Sequence, residues 1–167
     1  VGQVLVDLGS DASLRVLATG YAARFASAGV LPLADARGPD RFATFDPRQG
    51  GDSTRLSLVL DLEGAGAEAG DHFHVTPFLI RRGLRLRRNF TGYRFDPRDG
   101  DGTEQINESL TIGSNAHYDK RLPLFDDRDT LSAGVYARGD LIAQSQKRLS
   151  AVDDRVIEPP TSGSLRD

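Results

Sequence analysis

The chain has 167 residues, of which 38% are hydrophobic and 27% charged, and its formal net charge is −3. That length and balance fit one folded domain and argue against wholesale disorder; the charge gives no global attraction to nucleic acid or to anionic membranes. There is no Cys, which excludes disulfides, thiolate metal sites and Cys nucleophiles outright.

Arg outnumbers Lys 19 to 2 and Asp outnumbers Glu 19 to 5. Lys and Glu favour helices and Asp favours turns, so with 18 Gly and 8 Pro the composition points to strands joined by many turns. The chain has no Met, even at its start, as expected of a processed chain or a piece of a longer one; signal removal from an exported protein would fit. No apolar run approaches the ~20 residues of a membrane helix. An aromatic content of 7% is thin for the two interfacial girdles of a transmembrane β-barrel and weighs against one.

In chain order, Val4–Leu8 reads as a short strand. Ser10 or Asp11 can cap a helix that Gly29 ends, with Leu14, Leu17, Ala18, Tyr21, Ala22 and Phe25 on one face. A hairpin through Ala18–Tyr21 is the competing reading. Residues 30–44 read as a loop. Leu56, Leu58, Leu60 and Leu62 alternate with Ser57, Val59 and Asp61, the pattern of a strand with one face in a core. Residues 64–70 are a flexible connection. Residues 72–80 and 84–95 read as two strands, with Arg81-Arg82-Gly83 as a hairpin turn and Pro77 marking an edge or a bulge. Further strands are expected at 106–114, 131–138 and 153–158, while 141–149 is ambiguous.

A short motif punctuates these strands. Phe45-Asp46-Pro47-Arg48 and Phe95-Asp96-Pro97-Arg98 stand fifty residues apart, each followed by Gly-containing turns, and Phe125-Asp126-Asp127-Arg128 is a looser copy. Asp accepts turn amides and Pro fixes its own φ; the Phe is expected to anchor the turn on the core. The fold expected from all this is mainly β: an antiparallel β-sandwich or jelly-roll-like barrel with one short N-terminal helix. Residues 1–158 would form a single β-rich domain and 159–167 an extended C-terminal tail.

The candidate sites are few. Arg81, Arg82, Arg85, Arg87 and Arg88 form a dense basic run suited to anions, acidic glycans or a partner's acidic loop; pairing with the chain's own Asp residues is the blander alternative. Phe90 and Tyr93 lie beyond the run, so single-stranded nucleic acid lacks its stacking platform. Asp99, Asp101, Gly102 and Glu108 match four positions of an EF-hand loop, but Pro97 stands where the first Asp belongs. What is left is an irregular calcium site around Asp96, Asp99, Asp101 and Glu108, set against a solvated acidic turn. His72 and His74 share a strand face, and Asp71 or His117 could complete a metal site with them. The spacing resembles the first cupin motif, which also needs an acidic residue that Val75 to Leu79 do not supply. Arg138-Gly139-Asp140 is an integrin-type tripeptide, useful only on an exposed loop tip. Asn89 and Asn107 begin glycosylation sequons.

No nucleophile elbow, P-loop, dinucleotide fingerprint or zinc-protease motif is present. The sequence is therefore read as a non-enzymatic structural or assembly subunit of an extracellular or virion-like particle or appendage. It would oligomerise through its arginine-rich strand and acidic turns, with no cofactor required. A carbohydrate-binding or lectin-like module, calcium-dependent in one version, is the first alternative. A metal-dependent enzyme around His72, His74 and His117 is the second.

Overall fold

The computed structural model describes residues 1–9, 11–27, 29, 33–39, 46–126 and 129–166, without the side chains of 34 and 35. Seven strands follow one another: β1 (Gly2–Gly9), β2 (Ala12–Ala26), β3 (Gly50–Ala65), β4 (His72–Arg88), β5 (Gly102–Arg121), β6 (Thr130–Leu149) and β7 (Val156–Arg166). Each pairs antiparallel with the next, giving one seven-stranded up-and-down sheet. The chain is thus mainly β, as expected. A sandwich is not seen: no second sheet lies against the first among the described residues.

The expected N-terminal helix is absent, and its residues form β2. Leu14, Ala18 and Ala22 are four apart, a spacing that satisfies a helical face and a strand face alike. Tertiary pairing decides: Leu14, Val16 and Ala18 lie opposite Leu62, Leu60 and Leu58 of β3. Val16, Thr19, Tyr21 and Phe25 are also better suited to a pleated strand than to a helix. The chain reverses at Gly9 and Asp11, whose φ angles are 72° and 59°, so the competing turn at Ala18–Tyr21 is not formed either. The helical stretch found among the described residues is α1 (Leu33–Arg37), between β2 and β3.

The expected hairpin at Arg81-Arg82-Gly83 is also overturned, because these residues sit in the middle of β4 and pair on both sides. Gly83 serves close approach rather than a turn: a Cβ there would lie 2.9 Å from Thr54 Oγ1. Pro77 lies in this central strand, not at an edge. Its missing N–H coincides with a gap in the β3–β4 ladder between Val59 and Leu62, while the β5 side continues through Ser114. Residues 130–149 make one strand, and 156–166 pair with β6 as an outer strand.

The register sorts the side chains into two unlike faces. On one, Leu62 and Leu58 stand opposite Val75 and Leu79, these opposite Ala116 and Ile112, and these opposite Val135 and Gly139. The other carries Thr76, Asn115 and Tyr136 in one row, and Thr19, Ser57, Ile80, Thr111 and Asp140 in another. The apolar face is uncovered: Val4, Leu56, Ile112, Leu131, Val135 and Leu141 are 46–65% exposed. Among the described residues the buried apolar side chains are Leu149 and Ala151, far short of the core that a water-soluble chain of this size assembles.

The two ends of the sheet also differ. At one end the connections are Gly9 to Ala12, residues 66–71 and residues 122–129, none longer than eight residues. At the other they are residues 27–49, 89–101 and 150–155. We refer to these as the turn end and the loop end.

Candidate functional site

The loop end is where most of the burial lies. Asp46, Gln49, Asn89, Glu104, Leu149, Ser150 and Ala151 are all buried there. The Asp-x-Arg motif builds this cap. Asp46 Oδ1 accepts the Arg48 amide at 3.1 Å, and Asp96 Oδ1 accepts the Arg98 amide at 3.1 Å. Asp153-Asp154-Arg155, a further copy missed in the sequence because it lacks Phe and Pro, makes the same turn: Asp153 Oδ1 accepts the Arg155 amide at 3.2 Å. The arginines then tie the loops to one another. Arg48 donates to Asp154 at 3.2 Å and to the Val152 carbonyl at 3.1 Å, and Arg155 donates to Asp99 at 3.1 Å. Asn89 Nδ2 donates to Asp46 Oδ2 at 3.1 Å, and its own amide donates to Gln49 Oε1 at 3.0 Å.

The expected aromatic anchors do not hold. Phe95 is 74% and Phe125 98% exposed, because hydrogen bonding rather than burial fixes these turns. Phe45, Asp127 and Arg128 lie outside the described residues.

Three of the four acidic residues expected for calcium, Asp96, Asp99 and Asp101, are engaged by donors of the chain itself. Asp96 accepts the Arg98 and Asp99 amides. Asp101 accepts the Thr91 hydroxyl and the Phe95 and Asp96 amides, at 3.1 and 3.0 Å for the amides. Burial pushes the Asp101 carboxyl upward, but these donors outweigh it and hold it below the ordinary carboxylate range. Glu108 lies on β5, opposite Gly83 and away from that loop. No three His, Asp or Glu side chains converge in metal-binding fashion among the described residues.

Near the turn end, His72, His74 and His117 share the polar face. His74 hydrogen-bonds Asp61, which also accepts Arg15 Nε at 3.1 Å and Thr76 Oγ1 at 3.2 Å. The His74 and His117 rings meet edge to face at 4.9 Å. Asp71 is turned elsewhere: it is buried and accepts the Tyr118 hydroxyl at 2.6 Å and the Arg121 amide at 3.0 Å. The Tyr118 hydroxyl chiefly, helped by that amide against the effect of burial, lowers its carboxyl below the usual range. Asp61 and Arg15 had no motif to mark them; alternation along β2 and β3 was the available signal.

The basic run divides between the faces. Arg81, Arg85 and Arg87 belong to the apolar-face row; Arg82 and Arg88 belong to the polar one. Arg85 Nε donates to Glu104 at 2.6 Å, and Lys147 Nζ meets the same carboxylate at 2.6 Å. Arg87 pairs with Asp154, and Arg88 lies 5.1 Å over the Phe90 ring. Arg138 and Asp140 pair with each other within β6, so the tripeptide is in a strand and not on a loop tip. Asn89 is fully buried and Asn107 lies within β5.

No family profile, no curated protein and no solved structure matches the chain. Among the described residues no helix is long and apolar enough to cross a membrane.

Proposed function

We propose that this sheet is part of the wall of a transmembrane β-barrel, with its leucine-rich face toward lipid and its polar face toward a water-filled lumen. The observation that carries this reading is the continuous exposed apolar face on a sheet with almost no core of its own. The band runs from the row Ala12, Gly64, Phe73, Tyr118, Ala133 to the row Gly20, Leu56, Arg81, Leu110, Leu141. At ~3.3 Å per residue that is roughly 26 Å along the strands, or about 20 Å in height at a tilt near 40°, close to the apolar band of such barrels.

Other features support it. Consecutive antiparallel strands, with the two longest connections, 27–49 and 89–101, at the same end, fit the wall pattern of these proteins. Phe73 and Tyr118 stand opposite each other at one rim of the band. At the other rim the row Arg85, Ile106, Ser145 and the row Arg87, Glu104, Lys147 bring in charge. Arg81, in the last apolar row, is long enough to reach that charged belt. The larger cavities, about 820 and 650 Å³, are lined mostly by polar-face residues, as a sheet curled around that face would produce. Barrel closure would need the outer edges of β1 and β7 to find further strands, since unpaired backbone is not tolerated in lipid.

The absence of native Cys allows a clean test. Single Cys residues replacing Leu60 and Asn115 are labelled with a polarity-sensitive dye, and the full chain is folded into phosphocholine vesicles. The label at 60 should be quenched by spin-labelled lipid and the label at 115 by aqueous iodide. Equal iodide quenching of both, or a detergent-free soluble dimer by light scattering, would reject the membrane reading. The dimer would favour assembly through the apolar face instead.

A further inference from the structure

We infer that the polar face carries an oxyanion-binding site centred on Arg55 and Arg82. The two are directly opposite each other on β3 and β4. Like charges in that relation repel, with Cβ atoms about 5 Å apart, so the arrangement weakens the sheet unless something negative lies between them. Neither guanidinium has an ion-pair partner within 4.0 Å among the described residues. Asp140, one row away, feels Arg82 but is itself bound by Arg138 at 2.8 Å and by the Thr111 hydroxyl. Within the basic run Arg85 and Arg87 have carboxylates of their own and Arg88 has a ring, while Arg81 stands opposite Leu56 with no second cation across from it.

The surroundings suit a ligand. Arg55 and Arg82 border a cavity of about 650 Å³ together with Tyr21, Asn107, Ser109 and Gln144. Tyr21 is directly opposite Arg55, and Ser109 is directly opposite Arg82, so the row reads aromatic, cation, cation, hydroxyl. Asn107 and Gln144 stand opposite each other one row nearer the loop end. Two planar donor forks flanked by hydroxyl and amide donors match the oxygens of a phosphate or carboxylate group. Glu108 borders the same cavity but belongs to the opposite face of the sheet, where it stands opposite Gly83. If the polar face lines a lumen, the site gives that lumen a preference for anions; the site itself rests on the side-chain row and not on the membrane reading.

The test uses the full chain in detergent micelles at low salt, titrated with inorganic phosphate and followed by calorimetry. The parent should bind saturably. Arg55→Gln and Arg82→Gln should each weaken binding at least tenfold, while Arg81→Gln, one residue away on the other face, should leave it unchanged. Removing one of two like charges should not impair folding, and far-UV circular dichroism checks that. Displacement by acetate would identify carboxylate as the ligand class, and resistance to it would identify phosphate. Absence of saturable binding up to tens of millimolar phosphate, or an equal loss in Arg81→Gln, would overturn the proposal. The lipid-quenching label at position 60, read on the same protein in vesicles, keeps the two readings apart: lipid contact without phosphate binding sinks only the anion site, and phosphate binding without lipid contact sinks only the membrane wall.

Discussion

Replacing Leu60 with Arg asks the sheet what covers its apolar face. Leu60 lies in the central row of the apolar band, opposite Val16, with two further rows toward each rim. If lipid covers it, an arginine at that depth should cost about 2–4 kcal/mol, falling to about 0–1 near the interface. Thr54→Arg, at the rim opposite Ala22, should therefore cost about 1 kcal/mol or less by the same depth rule. Asn115→Arg, on the polar face, should stay within about 0.5 kcal/mol, as for surface substitutions generally. The chain has no Trp, so unfolding of the full chain from phosphocholine vesicles in guanidinium is best followed by far-UV circular dichroism. The graded order of Leu60, Thr54 and Asn115 is what matters. A covering second sheet would penalise Leu60→Arg as well, but in detergent-free buffer. A cost near zero for Leu60→Arg would mean that the face is open to water and the reasoning is wrong.

Three further outcomes follow from the cap and the ladder. Asn89→Ala removes a buried donor to the Asp46 carboxylate and should cost about 2 kcal/mol in the same unfolding assay; a loss below about 0.5 kcal/mol would show that the cap does not hold the loops. Asp101 is held below the ordinary carboxylate value, so it contributes stability above a pH of 3.8 and loses it as the pH falls through its lowered value. Hydrogen-exchange protection of the Phe95 and Asp96 amides should therefore drop below pH 4, and Asp101→Asn should flatten that dependence. Gly113→Ala would bring a Cβ to 2.4 Å from Phe78 Cζ and 2.7 Å from the Ala137 carbonyl oxygen, so overpacking should cost about 1–3 kcal/mol; an unchanged unfolding midpoint would contradict the register.

How much of this was legible in the sequence depends on what each element's pattern could separate. Leu56 to Leu62 alternates on both sides of the argument: it marks a strand with an apolar face, but the same leucines would serve a protein core or a lipid-facing wall. The 7% aromatic content weighs against a wall, but the deciding difference lies in whether anything covers the face, which composition does not report. β2 was misread because a four-residue spacing is common to helix and strand, and only its partner β3 breaks the tie. The Arg81–Gly83 turn was misread because Gly83 signals a reversal as readily as it signals close approach to Thr54. The repeated Asp-x-Arg turns are visible in the sequence and their Asp residues accept the turn amides as expected, but the Phe expected to anchor each turn does not: Phe95 and Phe125 are exposed. The Arg55–Arg82 pair could not be seen at all, since Arg55 stands alone in sequence and meets Arg82 only through the β3–β4 register.

That register also explains why the loop end, and not the sheet, holds what core there is. Each strand from β2 to β6 has both backbone edges engaged by a neighbour for much of its length, so the ladder needs nothing more than lateral pairing to satisfy its amides. The side chains are another matter. Alternation puts half of them on a face whose leucines and valines meet no counterpart among the described residues, at a cost near 25 cal/mol for each Å² left in water. A water-soluble sheet of this kind would have been selected to roughen that face with charge, as edge strands are. Here charge is instead confined to its two rims and to the opposite face, and the loops at one rim are locked by Arg48, Arg155 and Asn89. An apolar band of limited height with polar ends is what a medium of fixed thickness requires, whereas a partner protein would set no such height. The placement of charge, more than the amount of apolar surface, is why lipid is the covering we favour.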